Sequence, residues 1–173
     1  MTREPAVPLR AATVIWSVPD GVTGADLEDL IRRAALANSA LLRGDIEGYR
    51  AQISHTADFA LMTPFGGPPT LGFDASPDGL AALARFFQGG TAKLEIVRCY
   101  SSGDMAVLVA IERQRAAVGG LPEQDWSLRV TLVFRREASR WSLAHRHADP
   151  LVRRISLNEA AVLAREEPAA KRA

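Results

Sequence analysis

The chain has 173 residues, of which 47% are apolar and 24% charged, and its formal net charge is +1. That length fits one domain with a substantial core. The near-neutral charge and scattered arginines exclude a basic nucleic-acid stripe, and no apolar run is long enough for a membrane-spanning helix. Cys99 is the single cysteine, so an internal disulfide framework is excluded. The opening "MTREPAVPLRAA" lacks the apolar segment of a secretory signal. The expected setting is the reduced cytoplasm.

Residues 1–22 read as an N-terminal arm, in which "ATVIW" is either a short strand or part of the arm's packing. Thr23 offers an N-cap with Asp26 three residues on, and Leu27, Leu30, Ile31, Ala34, Leu41 and Leu42 then recur at helical spacing. Gly44 interrupts, and Asp45 caps a second helix running to about Ser54. "DFALMT" reads as a strand. The stretch "PFGGPPTLG" must then turn, because proline fixes φ and glycine permits positive φ. Ser76 followed by Pro77 starts a third helix, predicted to run to Phe87 and to stop at Gly89 and Gly90.

From there the period changes from helical to extended. "KLEIVRCY", "MAVLVAIERQR", "WSLRVTLVFRR" and "RWSLAHRHA" are predicted strands joined by turns and one longer loop. Ser156 with Glu159 is a capping box for a short C-terminal helix, and "EEPAAKRA" reads as a frayed end. Helices first and hairpin-linked strands later describe an α+β domain, with helices on one face of a curved antiparallel sheet. The predicted boundaries are 1–22 for the arm, 23–150 for the domain and 151–173 for a C-terminal extension with a short helix.

"RGDIEGYRAQI", "DFALM", "PFGGPPTLG" and "LARFFQGG" together resemble the ketosteroid isomerase branch of the nuclear transport factor 2-like superfamily. The ending "VFRREASRWSLAHRHADP" is similar to the SnoaL-like polyketide cyclase relatives and to the association domain of calcium/calmodulin-dependent protein kinase. The resemblance covers roughly residues 24 to 150. It implies a cone, a bent sheet wrapped around a long helix with a pocket at the wide end, and usually a dimer. It also implies where isomerase chemistry would sit: a base at Thr63 and hydrogen-bond donors near Ala37–Asn38 and Val130. A threonine hydroxyl cannot act as a carboxylate base at neutral pH, and neither alanine nor valine donates a side-chain hydrogen bond. The resemblance thus implies an isomerase-like pocket without the isomerase residues. Two functions stand: a small-molecule binding or association protein, and a cofactor-independent isomerase, cyclase or lyase.

The pocket candidates are Asn38, Thr63, Phe86, Phe87, Glu112, Val130, Arg146 and Ala148. In the last strand, strict alternation puts Trp141, Leu143, His145 and His147 on one face and Ser142, Ala144, Arg146 and Ala148 on the other. The resemblance turns the second set inward, since the family places a pocket aromatic where Ala148 stands. Arg146 would then anchor an anionic small organic ligand or pair with a buried carboxylate such as Glu112. His55, His145 and His147 are possible polar or pH-sensitive groups, with His55 read as a solvated junction residue. Three histidines at these spacings do not make a zinc site, and no phosphate-cradling glycine motif is present, so neither metal nor cofactor is expected. Strands apolar on both faces predict a homodimer that covers the outer one.

Overall fold

The computed structural model describes residues 22–165. The candidate strand "ATVIW" and the tail "EEPAAKRA" lie outside the described residues. Helix α1 (Gly24–Leu42) opens on the Thr23–Asp26 capping box, in which each side chain accepts from the other residue's backbone N–H. Its buried stripe of Leu27, Leu30, Ala34 and Ala37 faces the sheet. Helix α2 (Ile46–Gln52) follows, capped by Asp45. Between them Gly44 is left-handed, at φ +70°, and a Cβ there would lie 2.8 Å from the Phe87 carbonyl oxygen. Only glycine satisfies both conditions.

Strand β1 (His55–Met62) leads through the proline-glycine turn to the two-residue β2 (Thr70–Leu71) and helix α3 (Pro77–Phe86). The long strands are β3 (Phe87–Ser102), β4 (Met105–Val118), β6 (Leu128–Glu137) and β7 (Arg140–Pro150), with β5 (Gln124–Asp125) a short addition to β4. The short helix α4 (Leu157–Leu163), opened by the Ser156–Glu159 capping box, is the last element among the described residues. Sheet order is β2-β1-β7-β6-β4-β3, and the sheet does not close on itself. Among the described residues no helix is long and apolar enough to cross a membrane.

The α+β cone is present, with three local corrections. First, the sheet is mixed: β1 pairs with β7 in parallel, although every other pair is antiparallel. In the chain β1 and β7 are separated by α3 and by strands β2, β3, β4, β5 and β6, so no tight hairpin forces them antiparallel. Second, Gly89 and Gly90 do not end α3. They lie within β3, where register shifts between Phe87 and Gly90. A Cβ on Gly90 would stand 2.4 Å from the Arg115 carbonyl oxygen, so the glycine serves close strand approach rather than a helix cap.

Third, β7 does not alternate strictly. Its register against β6 shifts between Val133↔His145 and Phe134↔Leu143, leaving Ala144 as the extra residue of a bulge. Before the bulge, Trp141 and Leu143 are buried with Leu30, Leu108 and Phe134 in the main core. After it, Arg146 and Ala148 face inward, opposite Leu132 and Val130, while His145 and His147 face outward. The bulge separates the two apolar residues from the two histidines with which alternation had grouped them.

Candidate functional site

A cavity of about 310 Å³ opens at one end of the cone, between α1, α3 and the concave sheet face. Its wall is strongly aromatic. Phe59 comes from β1, Phe65 and Phe73 from the turn and its return, Phe86 and Phe87 from the α3–β3 junction, and Trp126 from the loop before β6. Phe65 sets its ring edgewise against both Phe86 and Trp126, with centroids 5.8 and 6.0 Å apart. The turn that the prolines and glycines impose thus supplies part of the rim. Thr63 lines the same rim, but its hydroxyl serves the turn: it donates to the Gly66 carbonyl and accepts from the Phe65 N–H.

Three polar groupings reach this aromatic space. The deepest is an ion pair. Arg146 on β7 donates two parallel hydrogen bonds to Glu112 on β4, at 3.0 and 2.8 Å. Glu112 is only 3% exposed and Arg146 21%. Burial works to lower the pKa of Arg146, but the Glu112 charge and hydrogen bonds prevail and hold it above its ordinary value. The guanidinium therefore enters the cavity wall already matched by a bidentate carboxylate.

The second grouping is Tyr49 with His55. The Tyr49 hydroxyl lies 2.9 Å from His55 Nε2. The imidazole stacks on Phe73 at 4.0 Å and meets the edge of Phe59 at 4.5 Å. Burial pushes Tyr49 up to about 12 and His55 down to about 4, so both are uncharged at neutral pH. His55 is not the solvated junction residue its neighbours implied: the chain returning through Phe73 covers it. The third grouping is Asn38 on α1 with Gln114 on β4, where Asn38 Nδ2 donates to Gln114 Oε1 at 3.1 Å.

Of the residues singled out from sequence, Asn38, Thr63, Phe86, Phe87 and Arg146 line the cavity, and Glu112 stands behind Arg146. Val130 and Ala148 do not line it. They are paired across β6–β7 and pack with Ala110 and Leu128 against Leu94 and Ile96 of β3, which covers that part of the concave face. His145 Nδ1 donates to the Ala60 carbonyl at 2.9 Å, and His147 is exposed on the outer face. Among the described residues no three His, Cys, Asp or Glu side chains gather around a metal-sized site. Cys99 is half-buried and its thiol is pushed up to about 11, which leaves it protonated and unreactive. Gln114 and Trp126 were missed, although Gln114 shares the inward parity of Glu112 on β4, a signal visible in the sequence.

A SnoaL-like domain model matches residues 33–152, well over half of the chain. The chain belongs to the SnoaL-like family. Solved structures agree on the fold of this SnoaL-like chain and place it in the nuclear transport factor 2-like superfamily. A candidate dehydratase of the nuclear transport factor 2-like family from Streptomyces avermitilis is 25% identical. It aligns over 75% of this chain and 99% of its own, with a TM-score of 0.55. A candidate ketosteroid isomerase from Shewanella frigidimarina is 20% identical over 70% of this chain and 94% of its own, also at 0.55. The association domain of C. elegans CaMKII is 15% identical over 72% and 95%, again at 0.55. No curated protein matches the SnoaL-like chain in sequence.

Proposed function

We propose that this SnoaL-like protein binds a neutral, largely apolar small molecule in the aromatic cavity and acts as a homodimer. The observation that carries the reading is the state of Arg146. Its charge is already met by Glu112, so an anionic ligand would have to compete with a bidentate, buried carboxylate. The other titratable wall groups, Tyr49 and His55, are uncharged, so the cavity has no net charge to offer. Isomerase chemistry of the steroid kind is disfavoured, because the family resemblance matches Thr63 to the position of the base and Ala37 and Val130 to those of the donors. The dimer is supported by the outer sheet face, where Val97, Val107, Val109, Ile111 and Val133 lie beside a well exposed Tyr100.

Calorimetric titration with 2-acetylnaphthalene, a neutral ketone small enough for the cavity, tests the binding reading. A dissociation constant in the tens to hundreds of micromolar is the expected scale for so small a ligand. Leu61→Trp, which fills the space beside Arg146, should weaken binding at least tenfold while the circular dichroism spectrum stays unchanged. Absence of binding to the wild type would contradict the reading. Light scattering at micromolar concentration should report a dimer, with Val109→Asp shifting it to monomer.

A second reading, a cofactor-independent isomerase, cyclase or lyase, is favoured by the Tyr49–His55 pair. A neutral phenol hydrogen-bonded to a neutral imidazole at a cavity wall can pass a proton to or from a bound carbonyl compound. Proton exchange of the 2-acetylnaphthalene methyl group in heavy water, followed by NMR, separates the readings. Protein-catalysed exchange lost in Tyr49→Phe supports catalysis, and the background rate supports binding alone.

A further inference from the structure

We propose that the Asn38–Gln114 carboxamide pair reads the polar end of the ligand, and that this end carries a hydrogen-bond acceptor and a donor side by side, as a primary amide or lactam does. The inference rests on the binding reading above and narrows its ligand class.

Both residues are nearly buried, at 9% and 8% exposure, where asparagine and glutamine are uncommon. A carboxamide carries one oxygen acceptor and an NH₂ donor group. The single bond from Asn38 Nδ2 to Gln114 Oε1 leaves Asn38 Oδ1 and Gln114 Nε2 without a hydrogen-bond partner among the described residues. Nor are these two atoms sealed inside the protein. Among the described residues the enclosed side-chain atoms without a hydrogen-bond partner are Thr56 Oγ1 and Trp126 Nε1, whereas Asn38 and Gln114 open onto the cavity they line. Turning both amides over exchanges their roles and again leaves one acceptor and one donor. The ligand edge that complements the pair is therefore the same in either orientation.

Arg146 is committed to Glu112, Tyr49 to His55 and Thr63 to its turn, while the unpartnered Trp126 Nε1 is enclosed in the wall. In an apolar cavity a free donor and acceptor must be met by water or by ligand, and a ligand that displaces the water without replacing its hydrogen bonds loses affinity. A site built to hydrogen-bond a ligand group discriminates sharply against an analogue that lacks it.

The test compares 2-naphthamide with 2-acetylnaphthalene by calorimetric titration. The two share ring and carbonyl and differ in an NH₂ against a methyl group. The wild type is expected to bind 2-naphthamide at least tenfold more tightly. Gln114→Leu and, separately, Asn38→Leu should reduce that preference to under threefold by lowering 2-naphthamide affinity more than 2-acetylnaphthalene affinity, a split that a merely structural role would not produce. Gln114→Met replaces Gln114→Leu if the latter does not fold. Equal affinity of the wild type for both compounds, or a preference that survives either substitution, overturns this inference alone. Binding of neither compound overturns it together with the cavity reading.

Discussion

The two faces of the sheet use the same ion pair in opposite ways. On the outer face Arg129 meets Asp149, Arg135 meets Asp58 and Arg113 meets Glu95, all in contact with solvent. On the inner face Arg146 meets Glu112 with comparable geometry, at 2.8 Å, but with the carboxylate buried. Outer pairs are screened and interchangeable with hydration, so each contributes little. The inner pair cannot lose one member without leaving a charge stranded in an apolar wall. A guanidinium held this way shapes the cavity and keeps it neutral rather than recruiting an anion.

The largest test of that contrast is Glu112→Ala. It should destabilise the fold by about 3–5 kcal/mol in urea unfolding, and Arg146→Ala should cost a similar amount. The double variant Glu112→Leu with Arg146→Met should recover most of the loss, because no charge is then left alone. If Glu112→Ala cost no more than an outer-face substitution, the contrast would collapse.

A second test concerns the inner histidine. The pKa of His55 falls from 6.5 to about 4 in the folded protein, through burial. The unfolded chain therefore takes up a proton at this residue before the folded one does, and stability must fall as pH drops from about 6.5 toward 4. After allowance for partial solvent screening, the loss should be about 2 kcal/mol. Denaturation midpoints of His55→Gln across that window should show a flatter limb than the wild type. Asp26, whose pKa the backbone N–H of Thr23 holds below 3.8, acts only at lower pH. An identical slope in His55→Gln would place the titration elsewhere.

Two smaller effects bracket the comparison. Ala138 and Ser139 both adopt left-handed backbone, at φ +45° and +67°, between the paired Glu137 and Arg140. That is a two-residue hairpin turn without the residues it favours. Ala138→Asn with Ser139→Gly should stabilise by about 1 kcal/mol, a gain belonging to neither face of the sheet. Smallest is Arg129→Ala on the outer face, expected within about 0.5 kcal/mol of wild type in the same urea series.

What was legible in the sequence was what short-range chemistry determines. The Thr23–Asp26 and Ser156–Glu159 boxes and the Ser76–Pro77 start mark helix ends within a few residues. Alternation along β4 and β6 marks their buried faces. The rest depends on partners distant in the chain. The bulge at Ala144 exists because of the register between β7 and β6, and nothing in "WSLAHRHA" announces it. The parallel β1–β7 contact, the cover that Phe73 gives His55 and the shielding of Val130 and Ala148 by β3 are likewise tertiary. Arg146 was open to two readings from sequence because alternation fixes a direction but not a partner.

Whether a matched Arg146 leaves the cavity selective for neutral ligands is decided by comparing 2-acetylnaphthalene with 2-naphthoate. These share a ring and differ in charge, and both are titrated calorimetrically into wild-type protein at pH 7.5. The expected result is that the ketone binds at least tenfold more tightly than the carboxylate. Tighter binding of 2-naphthoate, lost in Arg146→Ala, would contradict it and make Arg146 an anion anchor.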